Sequence, residues 1–168
     1  METEKNCGNI IFLDFDGVCN SFERGSYLTH EPKDYGADMR IIERVGEICK
    51  KCSANIVVSS NWRRYGPDDV FVYRDMDYKN PLENIYKNLG GFVLGTLPKD
   101  HHLTKSQALD LWFEDNPWFN GRYVIVDDDP REGFQFNLKY RKNFWLTDRK
   151  YGLTENSKNE IIKHLKGN

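Results

Sequence analysis

The sequence has no long apolar run. Ile10 to Leu13 is cut short by Asp14, and no stretch approaches the ~18 apolar residues of a membrane span, which excludes a transmembrane helix. The first nine residues, METEKNCGN, hold no apolar stretch of the kind that directs secretion, so the expected location is the cytoplasm. Cysteine is scarce. Cys7, Cys19, Cys49 and Cys52 are too few for a disulfide scaffold in 168 residues. Cys49 and Cys52 form C-x-x-C, but no second pair or neighbouring His completes a zinc site, and the pair is read as packing. His101 and His102 are adjacent, so their side chains point different ways; with no third ligand they are read as surface residues. An excess of positive charge is also missing. Lys plus Arg number 24 against 26 for Asp plus Glu, a formal net charge of −2, so any attraction for nucleic acid has to be local.

What is present suits one folded domain over residues 1–168. Charged residues make up 30% and aromatics 14%, enough for both a solvating surface and a core, which excludes disorder. Asn9 to Phe15 (NIIFLDF) reads as a strand buried on both faces, Ile56 to Ser59 (IVVS) as a second buried strand and Tyr123 to Val126 (YVIV) as a third strand. Met39 to Cys52 places Ile41, Ile42, Val45, Ile48, Cys49 and Cys52 at helical spacing. Pro81 to Leu89 and Thr104 to Phe113 are further helices, Phe92 to Leu94 and Phe144 to Leu146 shorter strands, and Ile161, Ile162 and Leu165 mark a closing helix capped by Thr154. Strands alternating with helices predict a three-layer α/β domain around a parallel sheet. Asn20 to Tyr35 and Arg64 to Asn80 are the least regular stretches. They follow the first two strands, on the side where such sheets bind ligands.

Polar residues end each of the three main strands: Asp14-Phe15-Asp16-Gly17, Ser59-Ser60-Asn61-Trp62-Arg63 and Asp127-Asp128-Asp129. Parallel neighbours would bring these ends to one crevice, within reach of Lys105 at the start of a helix. Gathered carboxylates repel one another unless a cation neutralises them, and all-oxygen ligands favour Mg2+. Magnesium beside a Lys, an Arg and a hydroxyl is equipment for holding a phosphoryl group. Each residue also has a plainer reading. A calcium loop needs its Gly at the sixth position, whereas Gly17 is fourth counting Asp14 as the first and follows a buried strand. Asp127 to Asp129 would suit a turn, Arg63 a surface ion pair as readily as a phosphate contact, and Lys105 a solvated helix. Trp62 is read as packing ahead of a base-stacking platform.

With these residues in this order the chain resembles the haloacid dehalogenase (HAD) superfamily of aspartate-nucleophile phosphohydrolases. Asp14-Phe15-Asp16-Gly17-Val18 after IIFL resembles its first motif, the hydroxyl after IVV its second, Lys105 its third and Asp127-Asp128 after YVIV its fourth. Within it, SSNWR, YVIVDDD and LTDRKYGLT are similar to the small phosphatase domains of polynucleotide end-repair proteins. The resemblance implies a Rossmann-like fold and a Mg2+-dependent phosphatase. Asp14 would be the nucleophile that becomes an aspartyl-phosphate, and Asp16 the acid and then the base. Asp14 and Asp128 would bind Mg2+ through carboxylates and Asp16 through its backbone carbonyl, with Asp127 in contact or just behind. Lys105 and a serine would hold the phosphoryl oxygens. Ser59 directly follows the apolar run and is favoured, though Ser60-Asn61 also resembles a hydroxyl-Asn pair of some members. Ser60, Asn61, Arg63 and Gly17 are the candidate substrate contacts.

A receiver domain of a signalling relay uses similar groups, but it places its acceptor Asp on a middle strand, whereas here Asp-x-Asp comes first. A domain that binds phosphorylated ends without turnover is the other rival. The short interval from Gly17 to Met39 and the segment Gly95 to Thr104 leave no room for a cap domain with its own core. An open crevice suits a phosphorylated end of something large, with Arg63 and Lys139-Tyr140-Arg141-Lys142 set to contact further phosphates. A phosphorylated polynucleotide end is the expected substrate; a phosphoprotein or a small phosphomonoester is the alternative.

Overall fold

The computed structural model describes residues 8–21, 37–66, 69–73, 76–132 and 138–168. In chain order these form β1 (Asn9–Leu13), α1 (Met39–Cys52), β2 (Ala54–Val58), β3 (Val70–Tyr73), β4 (Met76–Lys79) and α2 (Leu82–Leu89). They continue with β5 (Val93–Thr96), α3 (Lys105–Asp115), β6 (Tyr123–Asp127), α4 (Leu138–Arg141), β7 (Phe144–Leu146) and α5 (Glu155–Lys166). The main sheet runs β5-β2-β1-β6-β7, and every neighbouring pair is parallel. No helix among the described residues is long and apolar enough to cross a membrane.

Side-chain alternation along the central strands divides the core into the two halves of a three-layer α/β fold. Ile11, Leu13, Ile56, Val58, Val124 and Val126 face α1, α2 and α5. Ile10, Phe12, Val57 and Ile125 face the other way, onto Ala108, Leu109 and Trp112 of α3 and Tyr140 of α4. Both faces are covered, which is why these strands read as continuous apolar runs. Phe12 is fully buried and meets Trp112 edge to face at 5.1 Å; truncating such a ring costs ~3–5 kcal/mol.

The helices start and stop where local chemistry requires. Asp38 caps α1 by accepting from the Arg40 N–H at 3.0 Å, and Ser53, left-handed at φ 49°, closes it by donating its N–H to the Cys49 carbonyl. Cys49 and Cys52 pack in the α1-side core, as their spacing predicts. Thr104 and Gln107 form a capping box at α3, which fixes Lys105 as its first residue. Thr154 caps α5.

The stretch Arg64 to Asn80, expected to be irregular, instead carries the antiparallel hairpin β3–β4. Its signal was the β-branched and aromatic run VFVY. Of the other expected loop, Asn20 to Tyr35, residues 22–36 lie outside the described residues. Residues 97–104, between β5 and α3, contain neither helix nor strand.

Candidate active site

The three central strands deliver their polar ends side by side because the ladder continues past them. The Asp14 N–H donates to the Val126 carbonyl at 3.0 Å and the Ser59 N–H to the Leu13 carbonyl at 2.9 Å. Asp14, Asp127 and Asp128 thereby offer carboxylate oxygens within 4.8 Å of one another. Lys105 reaches them from the first turn of α3. Its buried ammonium lies 3.2 Å from Asp14 Oδ2 and 2.7 Å from Asp127 Oδ2. A buried charge without a partner costs several kcal/mol, so Lys105 and the two carboxylates hold one another in place.

The members of the cluster are engaged differently. Asp127 is fully used: one oxygen takes Lys105 and the other accepts from the Asp129 N–H at 2.9 Å. This leaves it behind Asp14 and Asp128. The Asp128 carboxylate is buried, yet it pairs with Arg149, whose side chain is half exposed. Asp16 stands beside the cluster; Oδ2 accepts from Trp62 Nε1 at 2.7 Å and Oδ1 from Asn20 Nδ2 at 3.2 Å. Burial, then the neighbouring Asp14 charge, raises the Asp16, Asp127 and Asp128 carboxyls above their ordinary range. Trp62 and Asn20 oppose that rise at Asp16, Lys105 at Asp127 and Arg149 at Asp128.

With all four of these carboxylates ionised, the cations of Lys105 and Arg149 leave two negative charges uncompensated, the charge of one divalent ion. The all-oxygen donor set of Asp14 and Asp128, backed by Asp127, fits a hard cation.

The two serines separate clearly. Ser59 Oγ is buried with no hydrogen-bond partner among the described residues, whereas Ser60 Oγ accepts from the Trp62 N–H at 3.3 Å and caps the 3-10 turn Asn61–Arg64. An orphaned buried hydroxyl at a strand end is what a phosphoryl contact would require. Asn61 is exposed at the same end of the sheet.

Three expectations need correction. Arg63 is 1% exposed, which excludes a surface ion pair. Its guanidinium donates to the carbonyls of Pro98 at 3.1 Å, Ser59 at 2.8 Å and Ser60 at 3.0 Å, so it braces the turn rather than reaching outward for phosphates. Gly17 spends its N–H on Asn20 Oδ1 at 2.7 Å, and its carbonyl accepts from Thr147 Oγ1 at 2.8 Å. It is needed for space instead. Its φ is +71°, and a Cβ there would lie 2.4 Å from Asp128 Oδ2. The basic run is displaced too: Tyr140 is buried, Lys139 pairs with Asp110, and Arg141 and Lys142 precede the amino end of β7, opposite the end that carries the carboxylates.

Asn20, Thr147 and Arg149 were not among the sequence candidates. Thr147 and Arg149 lie in the LTDRKYGLT stretch, which carried the resemblance without a role for either residue. Asn20 had no signal beyond its place four residues after Asp16.

A family model described as the HAD domain in Swiss Army Knife RNA repair proteins matches residues 10–157. No curated protein and no solved structure matches the chain. The family match begins in β1 and ends in the first turn of α5, so the chain belongs to the HAD domain family of Swiss Army Knife RNA repair proteins.

Proposed function

We propose that the protein is a divalent-metal-dependent phosphatase that removes a terminal phosphate from a polynucleotide through an aspartyl-phosphate at Asp14. The observation that carries this reading is the Asp14 carboxylate, held 3.2 Å from Lys105 and flanked by the carboxylates of Asp127 and Asp128. An Asp14 oxygen attacks phosphorus, the bond from phosphorus to the leaving oxygen breaks, and that oxygen takes a proton from Asp16. Water then attacks the phosphorus of the acyl phosphate. Asp16 removes the water proton, the bond to Asp14 breaks, and inorganic phosphate leaves. Lys105 and the Ser59 hydroxyl hold the transferring oxygens, while Trp62 and Asn20 keep the Asp16 carboxyl aimed at the leaving group. Asp14 and Asp128, with the Asp16 carbonyl, would hold Mg2+, which neutralises charge on the phosphoryl group when bound.

A phosphate-release screen tests the reading. Oligonucleotides phosphorylated at the 5′ or the 3′ end are compared with phosphopeptides and sugar phosphates, with Mg2+ and with excess chelator. Release is expected from one oligonucleotide class, only with Mg2+, and should vanish in Asp14→Asn. Equal release under chelation, or a clear preference for a free sugar phosphate, would overturn it.

A further inference from the structure

We infer that Trp62, Tyr65 and His101 form a stacking platform for the unpaired bases next to the scissile phosphate, so that the substrate is a single-stranded end rather than a paired one. The inference rests on the phosphatase reading of the Asp14 site and names the form of its substrate.

The rings lead away from the acid. Trp62 packs one side against the α1-side core while its Nε1 holds Asp16, so the group that departs with the leaving oxygen comes out beside the indole. The Tyr65 ring lies 6.3 Å from Trp62 and the His101 ring 6.4 Å from Tyr65. The row opens to solvent away from Asp16: Trp62 is partly buried, whereas Tyr65, 45% exposed, and His101 are both exposed. Phe12 and Phe15, by contrast, are completely buried, while Tyr86, Trp118 and Tyr151 are exposed singly elsewhere among the described residues. All three rings stand on segments that follow the carboxyl ends of β2 and β5, the side of the sheet that carries Asp14 and Asp128.

The row is also braced. Arg63 Nε donates to the Pro98 carbonyl at 3.1 Å and Arg64 Nη2 to the Leu103 carbonyl at 3.2 Å, which fastens the turn bearing Trp62 and Tyr65 to the segment bearing His101. Two adjacent arginines thus each donate to backbone carbonyls of that segment, Arg63 from a fully buried position. A platform fixed before binding loses little entropy when a ligand settles on it.

Charge selects the occupant. The chain carries a net charge of −2, its catalytic crevice is rich in carboxylates, and Arg141 and Lys142 sit at the far end of the sheet. Beyond the terminal phosphate that Lys105 and the metal would hold, affinity comes from uncharged contacts, and stacking on aromatic rings contributes ~1–3 kcal/mol per base without regard to sequence. Successive base faces are available only where the strand is unpaired, because a duplex exposes no more than the outer face of its terminal pair.

The test measures binding separately from catalysis. Asp14→Asn protein with Mg2+ is titrated by fluorescence anisotropy with three labelled oligonucleotides carrying the same terminal phosphate: a single strand, the same strand made abasic over its last three positions, and a blunt duplex. The intact single strand should bind roughly tenfold or more tightly than the other two. Adding Tyr65→Ala or His101→Ala should remove most of that difference, and Tyr65→Phe should preserve it. Equal affinity for intact and abasic strands, equal affinity for the duplex, or tighter binding of an aromatic-rich phosphopeptide would overturn the inference. Phosphate release by the native protein reports independently on Asp14, so a failed platform and a failed phosphatase reading give different results.

Discussion

Ser59 and Ser60 are one step apart, yet only Ser60 has a backbone N–H to accept from, that of Trp62 at 3.3 Å. Ser59 Oγ stays buried with no partner among the described residues. Holding that hydroxyl out of water has a cost which a phosphoryl oxygen would offset when substrate binds. Opposite phenotypes follow. Ser59→Ala should lower kcat/KM by ~10²–10³, the usual loss for one preorganised donor, and leave urea stability unchanged or higher. Ser60→Ala should cost about 1 kcal/mol of stability through the lost cap, with a smaller effect on turnover. A Ser60→Ala enzyme that loses the greater part of its activity while Ser59→Ala keeps it would exchange the two roles. Gly17 makes the same point about single positions: its freedom to adopt φ +71° lets Asp128 close on the first motif.

At the scale of elements, the turn after β2 acts as one unit with the segment before α3, and Arg63 is the bolt between them. Replacing its guanidinium with the apolar side chain of Arg63→Met leaves the carbonyls of Ser59, Ser60 and Pro98 short of donors. The expected loss is about 3 kcal/mol or more in denaturant unfolding, with kcat falling by a similar factor on small and polynucleotide substrates. A selective loss on polynucleotides would return Arg63 to direct phosphate contact. Helix α1 yields a pH prediction. Burial, then the neighbouring Cys52, pushes the Cys49 thiol up to about 12. The folded state therefore keeps the proton that the unfolded chain releases near the ordinary thiol value, so the stability associated with it is lost as pH rises from about 9 towards 12. The buried thiol therefore stays protonated at pH 8, so alkylation measured by mass spectrometry should follow unfolding and not precede it. The sequence made α1 legible because its apolar residues from Ile41 to Cys52 recur at helical spacing. The hairpin β3–β4 was not legible, because its short VFVY run sits in a polar stretch that reads as loop.

Across the whole molecule, the parts of the site that were legible are those placed by strand ends: Asp14, Ser59, Asp127 and Asp128 each follow or end an apolar run, and parallel order does the rest. Contacts between distant segments were not legible. Trp62 on Asp16, Arg149 on Asp128 and Thr147 on Gly17 depend on how separate loops return over the crevice, and no spacing along the chain records that. The same convergence makes the site a source of strain for the fold. Asp14, Asp127 and Asp128 lie within 4.8 Å of one another, with only Lys105 and Arg149 paired to them by the described ion pairs. A divalent ion bound to the folded chain alone should therefore stabilise it, by about 2.7 kcal/mol at one hundred times its Kd. For a chain of this length that corresponds to a rise in Tm of roughly 5–10 °C on adding Mg2+ to chelated protein. Asp128→Asn should abolish most of the rise because the amide removes one of the two carboxylates set to bind the ion directly. Asp14→Asn should do the same and also raise the Tm of the chelated protein, since it relieves repulsion with Asp127 and Asp128 while Lys105 keeps its shorter bond to Asp127. Calorimetric scans with and without chelator read all three proteins. An unchanged Tm for the native chain at millimolar Mg2+ would mean that Lys105 and Arg149 already satisfy the carboxylates, and that the crevice is built around its own cations.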